Sequence, residues 1–226
     1  MHFLCLHGIG TNSKLYFCTE RKQGALRYAL GPEHTYDFVE GEIDHPMEPG
    51  VASLSAPGDT FHAYFDPQSG RAMLAALEDL DSLVAEAEPP YDGVLGFSHG
   101  CSLAATMLTR PRLQGAEETT PFKLAVFLCA GMAADHDSLL QRDLIEKLRS
   151  VLGNNKRIKI PTAHIYAEND EACPGQGALL QSLCAENAYA AVHSLGHRIP
   201  GATEKKELEA AALAIKRAIA DAQRTP

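Results

Sequence analysis

The chain has no apolar run approaching the roughly 18 residues that a membrane-spanning helix requires. It also has no CxxC pair, because its six cysteines (Cys5, Cys18, Cys101, Cys129, Cys173 and Cys184) are scattered. That spacing argues against a disulfide scaffold. Positive charge is in short supply, with 20 Lys and Arg against 29 Asp and Glu and a net charge of −9. Such a surface repels nucleic acid and anionic membrane, and leaves neutral or cationic substrates open. Internal repeats and low-complexity linkers are missing too, so the 226 residues read as one compact domain over 1–226. The opening MHFLCLHG reads as a buried strand running into a loop, with no basic n-region or cleavage site. A cytosolic protein with reduced thiols is the expectation.

What is present is an alternation. Short apolar runs, Phe3–Leu6, Tyr36–Glu40, Gly93–Phe97, Leu124–Cys129, Ala163–Ala167 and Tyr189–His193, are separated by helix-length segments. Runs without polar alternation suit parallel strands covered on both faces, so the fold class is α/β with a mostly parallel sheet. Met73, Leu77, Leu80 and Val84 fall at helical spacing, as do Leu208, Ala212, Ile215 and Ile219. Further helices are expected over 13–29 and 137–152, and Thr203 is a candidate cap for the last one. The segment 41–67 breaks the rhythm. It is long, rich in Pro and Gly, and carries Phe61, Tyr64 and Phe65, which are read here as lining a substrate pocket under a lid or wall.

The chemistry centres on Gly96-Phe97-Ser98-His99-Gly100, a G-x-S-x-G motif between a strand and a helix. Glycine on both flanks permits a turn tight enough to hold Ser98 exposed and strained, as a nucleophile. A serine hydroxyl needs a base, normally a histidine oriented by a carboxylate, and in this chain order both follow the serine. His197, in the loop after the last strand, is the candidate base, with His193 as the competitor. Asp170 is the candidate acid, with Glu168 and Glu171 as alternatives on the same loop. An oxyanion hole needs two N–H donors, and the backbones of Ile9 (in His7-Gly8-Ile9-Gly10) and His99 are the candidates. His136 lies between two aspartates but lacks other ligands at useful spacing, so no metal is expected. No cofactor is required.

The segments LCLHGIGTN, YDGVLGFSHG, PTAHIYAEND and HSLGHRIP, in this order and spread over nearly the whole chain, resemble the FSH family of serine hydrolases. The resemblance implies an α/β-hydrolase fold and cleavage of carboxylic esters or acyl thioesters. Many fungal members similar to this chain accompany polyketide synthases, which implies release of an acyl chain from an acyl carrier protein as one substrate setting. Two departures stand out: GFSHG replaces the family's GFSQG, and Leu195-Gly196-His197 replaces its GGH. The first puts a histidine beside the oxyanion hole, where its charge is expected to tune substrate or pH preference. Acyl transfer or cyclisation through the same acyl-enzyme, and a non-catalytic binding protein on a hydrolase scaffold, are the rival readings.

Overall fold

The computed structural model describes residues 1–17, 24–110, 120–148 and 157–224. Six strands form one sheet: β1 (His2–Leu6), β2 (Thr35–Val39), β5 (Gly93–Phe97), β6 (Leu124–Leu128), β7 (Thr162–Ala167) and β8 (Ala188–His193). Their order is β2-β1-β5-β6-β7-β8 and every pairing is parallel. All six expected strands are present, with ends that differ by a residue at most. A separate two-stranded ribbon, β3 (Ile43–Asp44) with β4 (His62–Ala63), lies within the segment that broke the sequence rhythm.

The sheet is apolar on both faces because its side chains alternate. Leu4 and Leu6 join one cluster with Met73, Leu77 and Leu80 of α3 (Gly70–Glu86) and Leu103 and Met107 of α4 (His99–Thr109). Phe3 and Cys5 face the other way, onto a cluster with Ala212, Ile215 and Ile219 of the C-terminal helix, Lys205–Arg224. The buried stripes expected from helical spacing are thus the ones that cover the sheet. That last helix begins two residues after Thr203, and the Glu204 carboxylate accepts the Gly201 N–H at 2.9 Å just ahead of it.

Two expected helices differ. The segment 13–29 holds α1 (Ser13–Phe17) and the start of α2 (Gly24–Leu30), and the residues between them lie outside the described ones. Of the helix expected over 137–152, residues 149–152 lie outside the described ones; the described part runs from His136 to Arg142 and stops at Asp143, which is left-handed with φ 52°. Asp143 is instead engaged with α3: its carboxylate accepts the Arg71 N–H at 2.6 Å and its carbonyl the Gly70 N–H at 3.2 Å. Those bonds satisfy N–H groups that α3 cannot satisfy itself.

Chain order fixes where a site can form. From β1 the chain moves to the β2 edge, then returns to β5 on the other side of β1. Loops leaving β1 and β5 therefore diverge and open a crevice at the strands' carboxyl ends. The loop after β1 carries His7-Gly8-Ile9-Gly10, and the turn after β5 carries Ser98.

Candidate active site

Ser98 occupies the turn between β5 and α4 with φ 50° and ψ −110°, a conformation that L residues rarely adopt. Backbone on both sides forces it. A Cβ on Gly96 would lie 2.8 Å from the Cys101 nitrogen, and one on Gly100 would lie 2.4 Å from the Leu6 carbonyl oxygen. Glycine at these positions lets α4 start directly against β1, which holds the serine at the crevice.

The three side chains expected to act together do meet. His197 Nε2 lies 2.9 Å from Ser98 Oγ, and its Nδ1 lies 2.9 and 2.8 Å from the two carboxylate oxygens of Asp170. Asp170 is 4% exposed, and its Oδ1 also accepts the N–H groups of Ala172 at 3.0 Å and Cys173 at 2.9 Å. Glu168 and Glu171, the alternatives, are exposed. His193 stays at the end of β8, accepting the Leu195 N–H at 3.3 Å. Asn169 ties the two loops together, donating to Ser194 O at 3.1 Å and accepting from Gly196 N–H at 3.3 Å. His197 is thereby fixed over the serine by the neighbour of the residue it pairs with.

The loop after β1 is packed onto the serine. A Cβ at Gly8 would fall 2.8 Å from Phe97 Cδ1 and 3.6 Å from Ser98 Cβ. The backbone N–H groups of Ile9 and His99 have no acceptor among the described residues. Donors from these two segments, the loop packed onto Ser98 and the start of α4, suit a developing oxyanion.

The support for this loop is what sequence reasoning missed. The segment 41–67 is strapped to it: Gly10 N–H donates to His62 O at 3.0 Å, His62 N–H to Thr11 O at 2.8 Å, and Glu48 N–H to Gly10 O at 2.8 Å. The Tyr64 hydroxyl accepts the His7 N–H at 2.8 Å and donates to Val39 O at 2.8 Å. Buried His7 contacts Gly8 O through Nδ1 at 2.6 Å and accepts the Gly41 N–H through Nε2 at 3.0 Å. The only sequence signal for these struts was the HGxG itself.

The aromatic residues of 41–67 divide accordingly. Tyr64 forms part of the wall of a cavity of about 660 Å³ with Leu6, Val39, Leu80, Leu83 and Leu103, and none of Ser98, Asp170 or His197 belongs to that wall. Phe61 and Phe65 are not among its lining residues either. Phe65 is 3% exposed and stacks on the His99 ring at 4.0 Å, so it is core rather than pocket surface. Its burial corrects the expectation drawn from its place in the loop.

His99 is corrected as well. It is only 8% exposed, and burial first, then the nearby His7 and His45, pushes its pKa down to about 3. It is neutral at working pH, so its charge does not tune the reaction. His164, buried in β7 with Nε2 3.0 Å from Thr162 Oγ1, is pushed down to about 3 by burial alone. Both therefore refuse protons that the unfolded chain takes up near pH 6.5. The stability they support is present above about pH 6.5 and is lost as pH falls toward about 3, each by at most about 1.4 kcal/mol per pH unit. Thermal melts between about pH 7 and about pH 5 should show Tm falling with pH, and His164→Phe should flatten that slope.

The Asp135 carboxylate caps the helix His136–Arg142, accepting the Ser138 N–H at 3.0 Å.

The parallel sheet, the switch point between β1 and β5, and a serine on the turn after β5 define an α/β-hydrolase. Acyl-protein thioesterase 2 of Zea mays has the same fold, with a TM-score of 0.59 at 18% identity over 96% of this chain and 93% of its own. In sequence the chain is 36% identical over 202 residues to esterase FPY3 of Fusarium mangiferae, covering 88% of each. It is 26% identical over 227 residues to the probable esterase tazC of Aspergillus terreus, covering 87% of this chain and 84% of that one. The serine hydrolase (FSH1) family matches residues 1–208, and the chain belongs to it. This is the family its four motifs implied. No helix among the described residues is long and apolar enough to cross a membrane.

Proposed function

We propose that this serine hydrolase cleaves carboxylic esters or acyl thioesters through an acyl-enzyme on Ser98, with His197 as base and Asp170 as its orienting partner. The observation that carries the reading is the continuous relay from Asp170 to His197 Nδ1 and from Nε2 to Ser98 Oγ, each link 2.9 Å or shorter. Ser98 Oγ attacks the acyl carbon while Nε2 accepts its proton. The tetrahedral oxyanion is held by the N–H groups of Ile9 and His99. The imidazolium then protonates the leaving alcohol or thiol, and water activated by the same nitrogen releases the acid.

The relatives' names, esterase FPY3 and probable esterase tazC, support ester cleavage. An acyl chain on an acyl carrier protein is the substrate setting that the family's fungal members suggest. The reading takes the chain as one domain, with 41–67 bracing the oxyanion loop and bounding the acyl site. Cys5, Cys101, Cys129 and Cys173 form no disulfide, in keeping with a reducing, cytosolic setting.

The test is hydrolysis of matched p-nitrophenyl esters and acyl-cysteamine thioesters of graded chain length, with products quantified. Acid should appear in one-to-one ratio with the alcohol or thiol, and not at all with Ser98→Ala. Ester formed in place of acid when an alcohol is added would move the reading to acyl transfer. No turnover of either class by folded protein would favour a binding role.

A further inference from the structure

Among the described residues, one group of side chains has the composition and spacing of a metal site, and it overlaps the relay. Cys129, Asp170 and His197 each offer one ligand atom, and these atoms lie within 4.8 Å of one another. The reaction derived above has no use for Cys129. It stands at the end of β6 in the left-handed region, with φ 47°, a conformation a cysteine adopts only where its surroundings compel it. Its thiol donates to Arg198 O at 3.4 Å, and burial first, then the nearby Asp170 charge, holds the thiol in its protonated form. Among the six scattered cysteines nothing in the sequence distinguished this one.

We propose that Cys129, Asp170 and His197 form an inhibitory site for a thiophilic divalent cation of the Zn²⁺ class. The inference rests on the relay reading for its inhibitory effect, though not for binding itself. Zinc favours four-coordinate geometry with sulfur at about 2.3 Å and nitrogen or oxygen at about 2.0–2.2 Å, which sets ligand separations of roughly 3.3–3.8 Å. Ligands already inside 4.8 Å reach those separations by small side-chain movements. Three protein ligands leave the fourth position to water.

Cys129 Sγ–H gives its proton to solvent and binds as thiolate. Nδ1 is the ring nitrogen facing Asp170, so it is the one that coordinates. Its proton moves to Nε2 through solvent, leaving the imidazole neutral. One proton is released per ion bound, and two anionic ligands neutralise the dication. With a proton on Nε2, His197 no longer accepts the proton of Ser98, and hydrolysis stops. Mg²⁺ and Ca²⁺ prefer all-oxygen shells, so a thiolate–imidazole set does not hold them.

Two measurements test the site. In the first, the Zn²⁺ concentration giving half-inhibition is compared for wild type, Cys129→Ala, Cys129→Ser and Cys173→Ala, each against its own metal-free rate. Losing even an outer-shell partner costs roughly 10–100-fold in metal affinity, so losing the thiolate should raise that concentration at least about 10-fold. Cys173→Ala, whose thiol does not join the cluster, should stay near wild type, and chelation should restore activity. In the second, Cd²⁺ is titrated while its thiolate charge-transfer absorption is followed. The band should appear in wild type and equally in Ser98→Ala, which hydrolyses nothing, and should vanish in Cys129→Ala. If that variant misfolds, Cys129→Ser carries both tests, since a serine hydroxyl is a poor zinc ligand.

A band in wild type and Ser98→Ala with no loss of activity would leave the metal site standing and overturn its inhibitory role. Unchanged Zn²⁺ sensitivity in both Cys129 variants, equal inhibition by Mg²⁺, or no Cd²⁺ band in wild type would overturn the site.

Discussion

Ser98→Ala and His197→Ala are each expected to lower kcat by roughly 10⁶-fold, and the double variant no further. The reason is that the two groups act as one device. Without the imidazole, Ser98 Oγ keeps its proton; without the hydroxyl, the imidazole has no nucleophile to activate. Their contact at 2.9 Å is the physical link that makes the effects non-additive. Residual catalysis would come from binding and from the Ile9 and His99 donors. The check is kcat on one good substrate for the two single variants and the double, with melting curves to establish that each is folded. Additive losses would mean that the two residues act separately.

Asp170→Asn should cost roughly 10⁴-fold in kcat with little change in KM. The hydrogen bonds dictate why. Asp170 Oδ1 accepts the Ala172 and Cys173 N–H groups, so the carbonyl oxygen of an asparagine would take that position. Its NH₂ would then replace Oδ2, which lies 2.8 Å from His197 Nδ1. An N–H donor there requires a lone pair on Nδ1 and places the proton on Nε2, the nitrogen that must accept one from Ser98. The variant should fold normally and hold the wrong tautomer, and its activity should recover as hydroxide replaces the lost base at high pH. Near wild-type kcat at neutral pH would show that Asp170 does not set the tautomer.

Much of this was legible in the chain. Strands covered on both faces announce themselves as unbroken apolar runs, and G-x-S-x-G needs only its flanking strand and helix to be read as a tight turn. Asp170 and His197 could be placed because strand ends limit what reaches the crevice. What stayed hidden depended on contacts distant in sequence. The helix after Asp135 overran in the reading because the stop at Asp143 serves α3, some 70 residues away. The role of 41–67 as a strap lies in bonds to Gly10 and Thr11 that no local pattern reveals. Phe65 and His99 were misjudged for one shared reason. Aromatic and titratable residues in a loop suggest a solvent-facing site, but these two are stacked on each other and buried, which removes the charge from one and the substrate contact from the other. Cys129 was invisible because its meaning depends on a backbone turn after β6 and on two loops that converge there.

The most direct measurement is labelling with a fluorophosphonate, which reacts only with an activated serine, followed by peptide mass spectrometry on wild type and His197→Ala. A single adduct on Ser98, formed far more slowly in the variant, is the expected result. An adduct on another serine, or none on folded wild-type protein, would contradict the assignment of Ser98 as the nucleophile.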